Sequence, residues 1–322
     1  MSIMSRLLAA CFVPILLVQV VNAQAPPPTS MTVTLLGTGT PNPRVERMGP
    51  STLVEAGGQR LLFDVGRATT IRLAQARIPA PSVTAVFLTH LHSDHTVGLP
   101  DLWLTGWLPF PPGGRSRPMR VIGPLGTRAM MQGLAVAYAE DIRMRTVEEH
   151  LPPGGVDVES QEMTDDGTIF DENGVRVVAF AVDHGGELKP AFGYRVSYGG
   201  RTVVISGDTR FSENLIRHAA GTDVLLHEVF AAPPEMRDDP SVQFRAIHHA
   251  SPTDAARVFE RVKPRLAVFT HIALAADRQG RLLSVEAVLK EATSVFAGRI
   301  EAGEDLMQIV IGDAIEIQRA KP

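Results

Sequence analysis

Cysteine is all but absent: Cys11 is the only one in 322 residues. It sits in the apolar N-terminal stretch, so the remainder can form no disulfide and offers no thiolate. Any metal site there must use imidazoles and carboxylates. Long apolar runs are also missing after about the first 25 residues, which excludes further membrane-spanning helices. A basic excess is missing too. Lys and Arg number 31 against 35 Asp and Glu, a net charge of −4. Residues 140–172 carry 11 acidic groups against Arg143 and Arg145. Read as a solvated loop, this stretch would push a nucleic-acid backbone away. No internal repeat is visible, and no low-complexity tract occurs beyond residues 25–28.

The N-terminus has the layout of an export signal. Met1 to Arg6 is short and basic, residues 7–21 are apolar, and Val21-Asn22-Ala23 is a small-residue cleavage site. An uncleaved anchor is the alternative, but the apolar run is short and interrupted by Pro14 and Gln19. A lipoprotein box at Leu8-Ala9-Ala10-Cys11 lies too close to Arg6. The expected organisation is a signal at 1–23, a flexible Pro-rich start at 24–30 and one domain over 31–322. The expected location is the periplasm, or outside the cell, with no lasting membrane insertion. A homodimer is left open.

Beyond the signal, short apolar runs alternate with Gly-marked turns. Strands are predicted at 33–36, 51–55, 61–64, 83–89, 175–182, 192–196, 201–206, 224–226 and 266–270. Helices are predicted at 67–76, 127–139 and 251–262, the last with Ser251 as cap and Pro252 in its first turn. Tyr198-Gly199-Gly200 signals a hairpin. The pattern suits an α/β sandwich, two sheets face to face with helices outside. Five predicted strands end at His90, His184, Asp208, His227 and His271, where loops converge on a rigid frame. The sharpest motif is Thr89-His90-Leu91-His92-Ser93-Asp94-His95-Thr96. Alternation puts His90 and His92 on one side, able to share a metal, and Asp94 and His95 on the next turn can reach a second.

This motif resembles the signature of the metallo-β-lactamase superfamily. The resemblance extends from Met31 to the C-terminus and implies an αββα sandwich of two mixed sheets flanked by helices. It assigns His90, His92 and His184 to one zinc, Asp94, His95 and His271 to the other, and Asp208 to both. Two zinc ions per chain are implied, with iron or manganese as alternatives. Pro190-Ala191-Phe192-Gly193-Tyr194-Arg195 and Ser206-Gly207-Asp208-Thr209-Arg210 are similar to the ribonuclease Z branch. Asp64, in Leu62-Phe63-Asp64-Val65-Gly66, resembles the aspartate that orients a ligand histidine. Glu228 and His249 resemble a catalytic Glu–His pair of that branch, with His248 the rival for the histidine. Asp94 counts with His249 and Glu228 among the catalytic groups. His227 is expected beneath the site, His150 and His218 on the surface, and Trp103 and Trp107 in the core rather than on a pocket wall.

The resemblance implies metal-assisted hydrolysis, with a hydroxide bridging the metals at neutral pH. The export signal and the lack of basic surface direct the expected substrate to a small ester, an aryl sulfate or a phosphodiester. A lactonase or β-lactamase is the alternative, and a di-iron oxidoreductase or a non-catalytic metal-binding module stands further off. Nucleic acid is not expected as a partner. The ribonuclease Z branch commonly carries a long tRNA-gripping arm between the ligands at His184 and Asp208, and here only 24 positions separate them.

Overall fold

The computed structural model describes residues 30–110 and 114–320. The expected export segment, Cys11 with it, lies outside the described residues. The strands are β1 (Met31–Gly37), β2 (Ser51–Ala56), β3 (Gln59–Phe63), β4 (Ala85–Phe87), β5 (Met119–Pro124) and β6 (Val158–Met163). There follow β7 (Gly167–Glu172), β8 (Val175–Ala181), β9 (Phe192–Tyr198), β10 (Arg201–Ile205), β11 (Val224–Ala231), β12 (Leu266–Leu274) and β13 (Ile300–Ala302). The last two are β14 (Met307–Ile311) and β15 (Ile315–Gln318).

They form two sheets, ordered β15-β14-β1-β2-β3-β4-β5-β6 and β13-β12-β11-β10-β9-β8-β7. Each is mixed: β3 to β6 and β10 to β13 run parallel, the remaining pairs antiparallel. The parallel strands need crossovers, and the helices supply them. Inward residues of both sheets, among them Phe63, Phe87, Phe192 and Tyr194, make the central core. Each such aromatic contributes about 1.5–3 kcal/mol by leaving water. Helices cover the outer faces. Helix Pro252–Val262 turns Ala255, Ala256, Val258, Phe259 and Val262 onto the second sheet, the spacing of one apolar stripe. Helix Leu99–Thr105 buries Leu99, Leu102 and Trp103 against the first.

The expected αββα sandwich is therefore the observed one. The sheets are also tied beside the histidine motif. Phe192 N–H donates to Thr89 O at 2.9 Å, and the Tyr194 hydroxyl donates to Leu88 O. The predicted hairpin forms across Gly199 and Gly200, both at positive φ, with Tyr198 opposite Arg201.

Three expectations need correction. Residues 140–172 are not a loop but nearly all of helix Ala139–Val147 followed by β6 and β7. Many of their acids are locally engaged: Glu140 and Asp141 with Arg143 and Arg145, Glu172 with Arg120, and Glu162 with the Gly126 and Arg128 amides. Strand β11 does not stop before His227 but runs on to Ala231. Likewise β12 continues through His271 to Leu274. Pairing to β11 continues on both sides, which kept those strands going where the apolar pattern alone suggested an end.

Candidate metal centre

The cluster gathers at or near the C-terminal ends of strands from both sheets. His90 and His92 follow β4, and Asp94 and His95 lie on the single turn Ser93–Thr96. His184 follows β8, and Asp208 follows β10 across Gly207. His271 is set by a bulge. Thr270 pairs with Glu228 and Ile272 with Val229, so His271 is the extra residue, at φ 42°. A bulge bends a strand and re-aims one side chain, here towards Asp94 and Asp208.

The donors form two triplets, His90, His92 and His184, and Asp94, His95 and His271, each with ligand atoms within 4.8 Å of one another. Asp208 lies between them. Its Oδ2 is 4.0 Å from His90 Nε2 and 3.7 Å from His184 Nε2 on one side. On the other it is 3.4 Å from both His95 Nε2 and His271 Nε2. All seven residues assigned by resemblance are thus in one place, six of them buried and His92 half-buried.

The donor set fits divalent metal. His95 Nε2 is buried and makes no hydrogen bond, an orphan that a cation would satisfy. The set holds imidazole nitrogen and carboxylate oxygen and no sulfur, a mixture suited to zinc, iron or manganese. At His90 and Asp208 the electrostatics agree. Burial, then neighbouring His95, holds the His90 imidazole well below its usual pKa, so it stays neutral and able to ligate. Burial acts against the Asp208 carboxylate, but His271, His95 and His90 outweigh it and hold its pKa well down.

Supporting groups fix the rings. Asp64 Oδ2 lies 2.7 Å from His95 Nδ1, and the Asp64 carboxylate also accepts from the Thr89 amide and hydroxyl, each at 2.8 Å. His184 Nδ1–H donates to the His248 carbonyl at 2.8 Å, while His248 Nδ1 donates to the His184 carbonyl at 3.0 Å. Sequence reading missed this reciprocal clasp, because a backbone carbonyl leaves no trace in residue identity. It also missed Asp305, which accepts from the Thr38 and Met48 amides and pairs with Arg72. Thr38 O in turn accepts from Ile272, next to the bulge.

Of the two neighbouring histidines, His249 meets Glu228. Their Nδ1 and Oε2 are 3.3 Å apart, and Glu228 Oε1 accepts from the Ala250 amide at 2.9 Å. Burial acts against the charged imidazole, but Glu228 overrides it and raises the His249 pKa to about 9. Its ring stacks on His271 at 5.6 Å and stands edge-on to His184 at 5.2 Å, at the rim of the cluster. His227 packs on Phe259 behind the sheet. His150 is exposed, whereas His218 stacks on Phe180 and contacts Asp166. Trp103 and Trp107 are core residues, their indole N–H groups bonded to the Val156 and Pro152 carbonyls.

A family model described as a β-lactamase superfamily domain matches residues 59–272, which include all seven of these His and Asp donors. A ribonuclease Z of Mycobacterium marinum is 36% identical over 290 residues, covering 87% of this chain and 98% of that protein. The human short-form tRNase Z superposes with a TM-score of 0.63 at 23% identity, covering 88% of this chain and all of that one. The metallo-β-lactamase fold protein YhfI of Bacillus subtilis gives 0.65 at 19%, covering 87% and 99%. The chain belongs to the β-lactamase superfamily of metal-dependent hydrolases and, within it, to the ribonuclease Z family.

This membership corrects two expectations. The substrate is not to be sought among exported aryl sulfate esters, since the relatives are ribonucleases. Nor does the short span from His184 to Asp208 exclude nucleic acid. The Mycobacterium marinum protein is matched over 98% of its length, which leaves no room in it for a long arm that this chain lacks. Net charge misled for a related reason: it averages the surface, while many of the acids of 140–172 are tied to local partners.

Proposed function

We propose that this protein is a metal-dependent phosphodiesterase that hydrolyses RNA, holding two divalent cations, typically zinc. The observation that carries the reading is the full-length match to ribonuclease Z, joined to a cluster with every donor of both triplets in place. His90, His92 and His184 would hold one ion, Asp94, His95 and His271 the other, and Asp208 both. When bound, such ions lower the pKa of water and offset charge on a phosphoryl oxygen.

The chain's own groups do the rest. Hydrolysis joins the oxygen of water to phosphorus and breaks the bond to the leaving ribose oxygen, which needs a proton. His249, held by Glu228 at the rim of the cluster, would deliver it. Asp64 and the His248 carbonyl keep His95 and His184 in the tautomers that present Nε2 inward. The test is to incubate the zinc-loaded protein with an end-labelled RNA bearing a 3′ trailer and to look for discrete cleavage; intact RNA would reject the reading. Localisation is a separate proposal: residues 1–23 would direct export, and an intact N-terminus on the protein recovered from cells would count against it.

A further inference from the structure

A cavity of roughly 360 Å³ opens beside the cluster, between helices Pro240–Ala246 and Pro252–Val262. It falls in the range of about 300–1,000 Å³ typical of small-molecule sites. His249 is part of its lining, and the same ring stacks on His271, so this imidazole links the cavity to the cluster. Its lining is mixed: Phe230, Val242 and Pro252 are apolar, while Arg237, Thr253, Asp254 and Glu291 are polar or charged. Among these, Glu291 accepts from Thr253 at 2.9 Å and pairs with Arg237 at 3.1 Å.

A cavity of this size, offering Phe230, Val242 and Pro252 for apolar contact, the Arg237–Glu291 pair and Thr253 for polar contact, and the His249 ring in its lining, suits a heterocycle on a ribose. An inorganic anion would find little there, since the cationic Arg237 is already paired to Glu291. We infer that this cavity binds the leaving-group nucleoside of the RNA substrate, base against Phe230, Val242 and Pro252 and ribose oxygen at His249. The inference rests on the RNA reading above. It assigns to Phe230, Val242 and the Arg237–Glu291 pair the task of choosing and holding the nucleoside. Position 246 offers a way to close the cavity, because Ala246 lines it yet is exposed and leaves room for a larger side chain.

The experiment compares adenosine 3′- and 5′-monophosphate with inorganic phosphate by calorimetry on the zinc-loaded protein. At least one nucleotide should bind about tenfold or more tightly than phosphate, a nucleoside contribution of about 1.4 kcal/mol. Ala246→Trp should erase that advantage and raise KM for RNA more than it lowers kcat. Val136→Trp, an equal insertion at a distant exposed position, should preserve it. If Ala246→Trp does not fold, Arg237→Ala serves instead, with an expected loss of about three- to tenfold. A nucleotide no tighter than phosphate, or an advantage that survives both variants, overturns the inference. The two readings fail separately. Cleaved RNA with no effect of closing the cavity removes this subsite alone, whereas tight nucleotide binding without RNA cleavage removes the proposed reaction.

Discussion

At the scale of single residues, Asp208 is the point on which the cluster turns. Its Oδ2 is within 4.0 Å of one imidazole nitrogen from each of His90, His184, His95 and His271. Removing any one histidine leaves five donors and the shared carboxylate. On the proposed assignment, removing Asp208 would take a ligand from both ions and the anion that would screen them from each other. Asp208→Ala should therefore lose more metal than any single His→Ala variant, measured by elemental analysis after zinc loading and desalting. Retention of both ions would show that the carboxylate is not shared. The adjacent histidines make a second pair of predictions. His249→Ala should lower turnover about 10²–10⁴-fold with metal content intact, the usual size of acid or electrostatic assistance. His248→Ala should do far less, because the group that holds His184 is the main-chain carbonyl, which alanine keeps. The reverse ranking would assign the proton to His248.

At the scale of elements, the site depends on how the chain leaves each strand. Gly207 joins β10 to Asp208 at φ 60°, and a Cβ there would lie 2.5 Å from Phe192 O. Both the left-handed backbone and the contact resist a side chain. Gly207→Ala should cost about 1–3 kcal/mol and lower zinc affinity, read by thermal melting with and without zinc. Unchanged melting would mean that the loop relaxes freely. The elements also show why some of the site was legible in sequence and some was not. His90, His92, Asp94 and His95 lie within six positions, so alternation and one helical turn suffice to bring them together. The cap of helix Pro252–Val262 is written in Ser251, Pro252 and Asp254, and Ser251 Oγ does accept from the Asp254 amide at 3.1 Å. The bulge at His271 is different. It exists only in the register between β11 and β12, which no local pattern encodes. Predicted strand ends gave a reason to consider His184, Asp208 and His271 together, but their ligand roles came through family likeness, since each stands far from the others in the chain.

At the scale of the whole molecule, charge and topology pull on the function in different ways. The two sheets place all seven donors along one edge of the sandwich, which specifies the chemistry. For the proposed RNA substrate the sequence offers no long basic tract, so few phosphates should be neutralised and affinity should depend only weakly on salt. A slope of log K against log salt shallower than about −3 is expected, equivalent to no more than about four phosphates on a single strand. A much steeper slope would reveal a basic face assembled from scattered arginines. Among the described residues no helix is long and apolar enough to cross a membrane.

The most direct test joins metal, site and substrate in one assay. Zinc-loaded protein, the same protein stripped by chelator, and the Asp208→Ala variant are each incubated with an RNA carrying a 3′ trailer. The loaded protein should cut the RNA at a discrete phosphodiester, the stripped protein should not until zinc is restored, and the variant should stay inactive throughout. RNA left intact by the fully loaded protein, or cut equally well after stripping, would contradict a two-metal ribonuclease.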